Sequence, residues 1–263
     1  MMTMRFMVTR VLGTLLLGGQ ALLVMPAAAG ELSGREIVAR VHAAAGGQAW
    51  LAAGTNVMSG DATLCRDGDP ARCVHADRYV MYRVYPARLE HGAHAGSGKF
   101  RLDALAGDKV LFQVAFDGER SYDQNGPVPA ERASSDEASA FGFSAIRFAL
   151  EPGFSVERVM DDQVEGRDCY FIRVTDPTGT RTLFGVDRET FAVRSAGWQT
   201  PKGFHQRLYS DFYRVGEGFV QPGRVRHFYD GVKSVDIRWT SAEIGGPIPD
   251  AMFVLGPSVK SGD

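Results

Sequence analysis

The chain has little cysteine, almost no excess of either charge and, beyond residue 30, no long apolar run. Three cysteines in 263 residues are too few for a disulfide framework or a thiolate metal cluster. Lys and Arg total 29 against 31 Asp and Glu, with both signs interspersed. That excludes the one-sided basic face that phosphate neutralisation demands, and with it a nucleic-acid partner. There is no internal repeat and no linker-like stretch, so one large domain is expected.

Chemistry-bearing motifs are equally scarce. No G-x-S-x-G nucleophile elbow is present. The stretch His94–Phe100 is short of a phosphate loop, because Ala93 stands where the first glycine belongs and Phe100 where Ser or Thr belongs. His91 and His94 form an H-x-x-H pair without a third ligand, in a Gly-rich segment that reads as a solvated loop. Asp67-Gly68-Asp69 lacks the later Glu of a calcium loop and reads as a turn. Asp161 and Asp162 are adjacent and would point to opposite faces of a strand. None of the histidines sits beside an orienting carboxylate in sequence. No catalytic residue, metal ligand or cofactor is expected.

What is present begins with a leader. Arg5 and Arg10 precede the apolar run Val11–Met25, which ends in Pro26 and Ala27–Ala29. This order is that of a secretory signal cut after Ala29, and the run is shorter than the roughly 20 residues that span a bilayer. No cysteine follows the cut to carry a lipid anchor. The expected organisation is a leader over 1–29 and a single exported, periplasmic domain over 30–263, acting as a monomer. In that oxidising compartment Cys65 and Cys73, flanking the turn-forming RDGDPAR, are expected to close a hairpin as a disulfide. So short a loop contributes about 2–3 kcal/mol in the chain-entropy view. Cys169, within the apolar CYFIRV, reads as a buried inert thiol.

Ser33 and Glu36 fit a capping box, Ile37, Val38, Val41 and Ala45 share a helical face, and Gly46-Gly47 ends the helix. Trp50 and Leu51 follow as core anchors. From Val57 the period becomes two. KVLFQVAFD turns Val110, Phe112, Val114 and Phe116 one way, and VKSVDIRWT does the same with Val235, Ile237 and Trp239. Turns are expected at Asp117-Gly118, Asn125-Gly126, Asp176–Gly179, Asp187–Thr190 and Asp230-Gly231. Roughly ten or eleven strands of an antiparallel meander result, interrupted by a helical insertion opening at Ser134 or Ser135 and ending at Pro152-Gly153. A sheet this long has to close or curl around a filling, for which the helices are available.

EIVARVHAAAGGQAWLAAGTNVMSGDATL, VAFDGERSYDQNG, LFGVDRETFAVRSAG and the I-P-D-x-x-F ending at Ile248, Pro249, Asp250 and Phe253 together resemble the LolA-like superfamily of periplasmic lipoprotein-sorting proteins and their relatives. The resemblance implies a mainly β fold: a strongly curved, incompletely closed antiparallel half-barrel, with helices in its concave face over a hydrophobic cavity that accepts acyl chains. Sixteen Phe, eight Tyr and nine Met suit such a cavity. Phe112, Phe116, Tyr170 and Trp239 from the sheet, with Phe141 and Phe148 from the insertion, are expected to line it. The aromatic- and Arg-rich stretch Ser210–Gly231, interrupted by Pro222, reads as scaffold rather than site. Two functions fit: a carrier for a lipid, lipidated protein or other amphiphile, with the insertion as its lid, or a non-catalytic envelope interaction module with a packed interior. A metal-dependent hydrolase relying on His91 or His94 is a distant third.

Overall fold

A computed structural model describes residues 31–86, 98–129, 144–200, 202–216 and 218–256. The expected leader, the segment bearing His91 and His94, and Phe141 with the expected start of the insertion lie outside the described residues.

Helix α1 (Gly34–Ala45) begins where the capping box places it. The Ser33 hydroxyl accepts from the Glu36 amide, and the Glu36 carboxylate accepts from the Ser33 amide at 2.8 Å. Ile37, Val38 and Val41 form its buried stripe. Gly46 ends it at φ 126°, against the turn before β12: a Cβ there would stand 2.4 Å from the Gly218 carbonyl oxygen. Helix α2 (Gln48–Leu51) is one turn that buries Trp50.

The strands follow as β1 (Thr55–Cys65), β2 (Cys73–Val84), β3 (Lys99–Ala106), β4 (Lys109–Phe116), β5 (Ser121–Asp123) and β6 (Gly126–Pro127). After the single-turn helix α3 (Ser144–Arg147) come β7 (Ser155–Val164), β8 (Arg167–Thr175), β9 (Arg181–Asp187), β10 (Val193–Thr200), β11 (Gly203–Val215), β12 (Phe219–Tyr229) and β13 (Val232–Ile244). All 13 make one antiparallel sheet in the order β6-β5-β4-β3-β2-β1-β13-β12-β11-β10-β9-β8-β7. The chain starts at the middle, meanders to one edge, restarts at the opposite edge and meanders back to pair β13 with β1. Two strands exceed the expected number because β5 and β6 are too short for periodicity to reveal. Among the described residues β6 and β7 do not pair, so the sheet stays open.

Contacts of α1 establish the curvature. The helix touches β7, β8 and β12. The first residue of the helix, Gly34, abuts β7 and its C-cap, Gly46, abuts the start of β12, so a helix about 18 Å long bridges strands that a flat sheet would set about 24 Å apart. The sheet therefore wraps around α1 as a half-barrel, with the main core between them. Ile172, Val174, Val186, Phe184, Ile237 and Met58 belong to that core. A smaller cluster of Ala115, Tyr122 and Leu255 packs separately.

Local chemistry holds the corners. Asp117 accepts from the amides of Glu119 and Arg120, Asp176 from those of Thr178 and Thr180, and Asp187 from those of Glu189 and Thr190. Cys65 and Cys73 stand directly opposite across β1 and β2 and are bonded. Cys169 is buried, and burial pushes its thiol up to about 11.

Candidate functional site

Strand alternation populates the concave side with more than hydrocarbon. β2 turns Tyr79, Met81 and Arg83 inward, two residues apart, and β11 does the same with His205, Arg207 and Tyr209. β12 contributes Phe219, Gln221, Val225 and His227, and β13 contributes Ile237 and Trp239. Trp50 closes the space from above.

Two adjoining hollows result. The outer one is a groove of about 370 Å³ between α1, the β9–β10 turn and the β11–β12 hairpin, walled by Val41, Ala44, Phe191, Phe212, Val220 and Pro222. The inner one is a chamber of about 70 Å³ over β2, β11, β12 and β13. Trp50, Val220 and Pro222 line both. The groove reaches the lower end of the range of small-molecule sites, and its walls are largely apolar.

Pro222 explains part of this opening. It pairs with Phe212 on β11, while the ladder from β12 to β13 starts only at Arg224. The missing amide therefore faces a flank where no ladder bond is due. A proline inside an otherwise central strand is tolerated where the sheet splays at the groove.

Three arginines are buried around the chamber: Arg83 at 4% exposure, Arg147 at 4% and Arg207 at 5%. Arg147, from α3, donates to the carbonyls of Trp50 and Leu51, and lies over the rings of Trp50 at 4.2 Å and Tyr85 at 4.1 Å. It ties α3 to α2. Arg207 donates from Nε to His205 Nε2 at 3.1 Å and lies 5.2 Å from the Trp198 ring. Among the described residues no ion pair joins Arg147 or Arg207 to a carboxylate. Burial lowers Arg83 to about 10 despite the neighbouring Tyr85, with Arg147 and Arg207 adding repulsion. Burial raises the Tyr85 hydroxyl, but Arg83 and Arg147 outweigh it and leave it below its usual value. Burial, then Arg207, holds His205 down to about 3, and the same causes keep His227 well below the usual imidazole range. Both histidines are neutral neighbours of a cationic pocket.

The expected lining residues are placed as follows. Trp239 forms a wall of the inner chamber, 5.5 Å from the Tyr79 ring. Phe112 packs edge-on behind Tyr79 at 6.4 Å. Phe116 stacks on Phe100, and Phe148 is buried. Tyr170 stacks on Phe191, a groove residue, and lies beside Arg158 and Arg188. The stretch Ser210–Gly231 is more than scaffold: Phe212, Tyr213, Arg214 and Val220 wall the groove, and Phe219, Gln221, Val225 and His227 wall the chamber. Sequence reasoning missed Arg83, Arg207 and their tyrosines. The available signal was His205, Arg207 and Tyr209 recurring at every second position. A search for apolar faces passes over it.

No family model and no curated protein matches this chain. Solved structures do. A LolA superfamily protein from Nitrosomonas europaea aligns over 84% of this chain and 97% of its own length, with a TM-score of 0.52 at 10% identity. A Vibrio parahaemolyticus domain assigned to outer membrane lipoprotein sorting aligns over 84% and 95%, with a TM-score of 0.49 at 11% identity. A DUF1329 family protein from Desulfovibrio piger gives 84%, 95% and 0.49 at 12% identity. At such identities the likeness concerns the fold, and the fold is LolA-like.

Proposed function

We propose that this LolA-like chain is an exported periplasmic carrier, which holds a lipid, a lipidated protein or another amphiphile without acting on it chemically. The carrying observation is the largely apolar groove that opens along α1 beside a chamber sharing Trp50, Val220 and Pro222 with it. A chain laid there gains about 0.8 kcal/mol per buried methylene, from which the cost of association is subtracted. The resemblance of the sequence to lipoprotein-sorting relatives points the same way.

One observation favours the alternative, an envelope interaction module. Helix α1 already fills much of the concave side, and Ile37, Val38 and Trp50 are buried beneath it. Native mass spectrometry of protein purified from the periplasm without detergent separates the two. A carrier shows a discrete added mass, released as lipid by solvent extraction and lost in Ala44→Phe, which fills the groove from the half-buried side of α1. A bare mass that stays bare when the protein is challenged with lipids and lipopeptides sinks the carrier reading.

A further inference from the structure

The inner chamber is smaller than an acyl chain requires and, although most of its lining is apolar, it holds two buried arginines. Its lining includes Arg83 and Arg207, together with Tyr85, Tyr209, Gln221 and His227, and contains no Asp or Glu. A buried cation without a carboxylate is costly, and proteins usually compensate it with a counter-charge. Arg207 has no such partner among the described residues. Its Nε is engaged by His205. Because His205 Nε2 accepts that bond, the neutral ring carries its proton on Nδ1, and this buried donor has no partner among the described atoms either. A largely apolar groove beside a chamber that holds two buried guanidinium groups is complementary to a molecule with an apolar chain and an anionic end.

Resting on the carrier reading, we infer that the ligand is an acidic amphiphile, whose carboxylate or phosphate head seats in the inner chamber against Arg207 and Arg83 while its chain lies in the groove along α1. About 70 Å³ suits a head group, whereas the chain needs the 370 Å³ outside it. A guanidinium fork binds either oxyanion through paired N–H···O bonds. Binding supplies to Arg207 a counter-charge that it lacks among the described residues, and Trp50 and Pro222, which line both spaces, stand between head and chain.

The test is binding of dodecanoate, monododecyl phosphate and dodecanol to the mature protein at pH 7, each below its micelle concentration. Tryptophan fluorescence provides the readout, since Trp50 and Trp239 both line the chamber. The expected result is that at least one anion binds about tenfold or more tightly than dodecanol. The tighter of the two anions identifies the head-group source. In Arg207→Met the preference should collapse to less than about threefold, and Arg207→Lys should keep part of it. Circular dichroism confirms folding of each variant, and the wild-type comparison stands even if a variant fails to fold. Equal binding of all three ligands overturns the anionic-head inference and leaves the carrier reading intact. Binding of none overturns both.

Discussion

A buried neutral imidazole ties stability to pH, and two of them face each other here. The rings of His205 and His227 lie 5.4 Å apart, with Trp198 and Tyr229 against His205 and the Arg207 guanidinium beside it. Burial first, and Arg207 second, disfavour protonation of both. The unfolded chain takes up protons below about pH 6.5 while the native state does not, so the unfolded state binds more protons and stability rises with pH. The contribution is complete above about pH 6.5 and is lost as pH falls towards the folded value of about 3. Between pH 6.5 and 5 carboxylates scarcely titrate, which isolates the imidazoles. Urea unfolding should show a loss of about 2 kcal/mol for each strongly shifted histidine over that interval, and His205→Gln should reduce the loss by about one such share. An unfolding free energy flat across the interval would mean that the rings are solvated or paired with an acid.

At the scale of elements, the β1–β13 pair joins the two halves of the meander, and Gly60 sets how closely they approach. The β1 ladder slips at Gly60 on both sides. A Cβ there would stand 1.9 Å from the Arg238 carbonyl oxygen and 3.0 Å from Trp239 Cα, both backbone atoms that cannot step aside. Gly60→Ala should cost about 3 kcal/mol or more. Gly166, in the β7–β8 turn at φ +76°, has nothing within 4 Å of its Cβ position, so Ala there meets only backbone strain, about 1 kcal/mol. Thermal melts should separate the two, at roughly 2–4 °C per kcal/mol for a chain of this size. Equal shifts would show that the β1–β13 approach is loose. The sequence signalled features whose cause is local: the Ser33–Glu36 box, the Asx turns, the Cys65–Cys73 hairpin and the alternation of β13. It was silent where the cause is distant. Phe204 and Leu208 look like the inward face of β11, yet Phe204 is 37% exposed and Arg207 is buried, because the concave side of β2 supplies Tyr79 and Arg83 as neighbours rather than more hydrocarbon. Pro222 likewise cannot be understood without knowing where the β12–β13 ladder begins.

For the molecule as a whole, α1 has two roles that separate along its length. Ile37 and Val38, towards its N-terminus, are fully buried in the core, whereas Val41, Ala44 and Ala45, towards its C-terminus, line the groove. Stability and ligand capacity should therefore respond to different substitutions on the same helix. Ile37→Ala removes a fully buried side chain from the main core and should lower unfolding free energy by about 2–5 kcal/mol. Ala44→Phe adds volume where the groove is open, and should change stability by less than about 1 kcal/mol while displacing the bound chain. Urea denaturation and amphiphile binding, measured on both variants, place each on its own axis. If Ala44→Phe destabilised as much as Ile37→Ala, the groove would be tighter than its volume implies, and the space along α1 would belong to the core. If it kept stability but bound amphiphile normally, the chain of the ligand would have to run elsewhere than along α1. Loss of binding at constant stability would leave the half-barrel a scaffold whose filling helix is also the wall of its site.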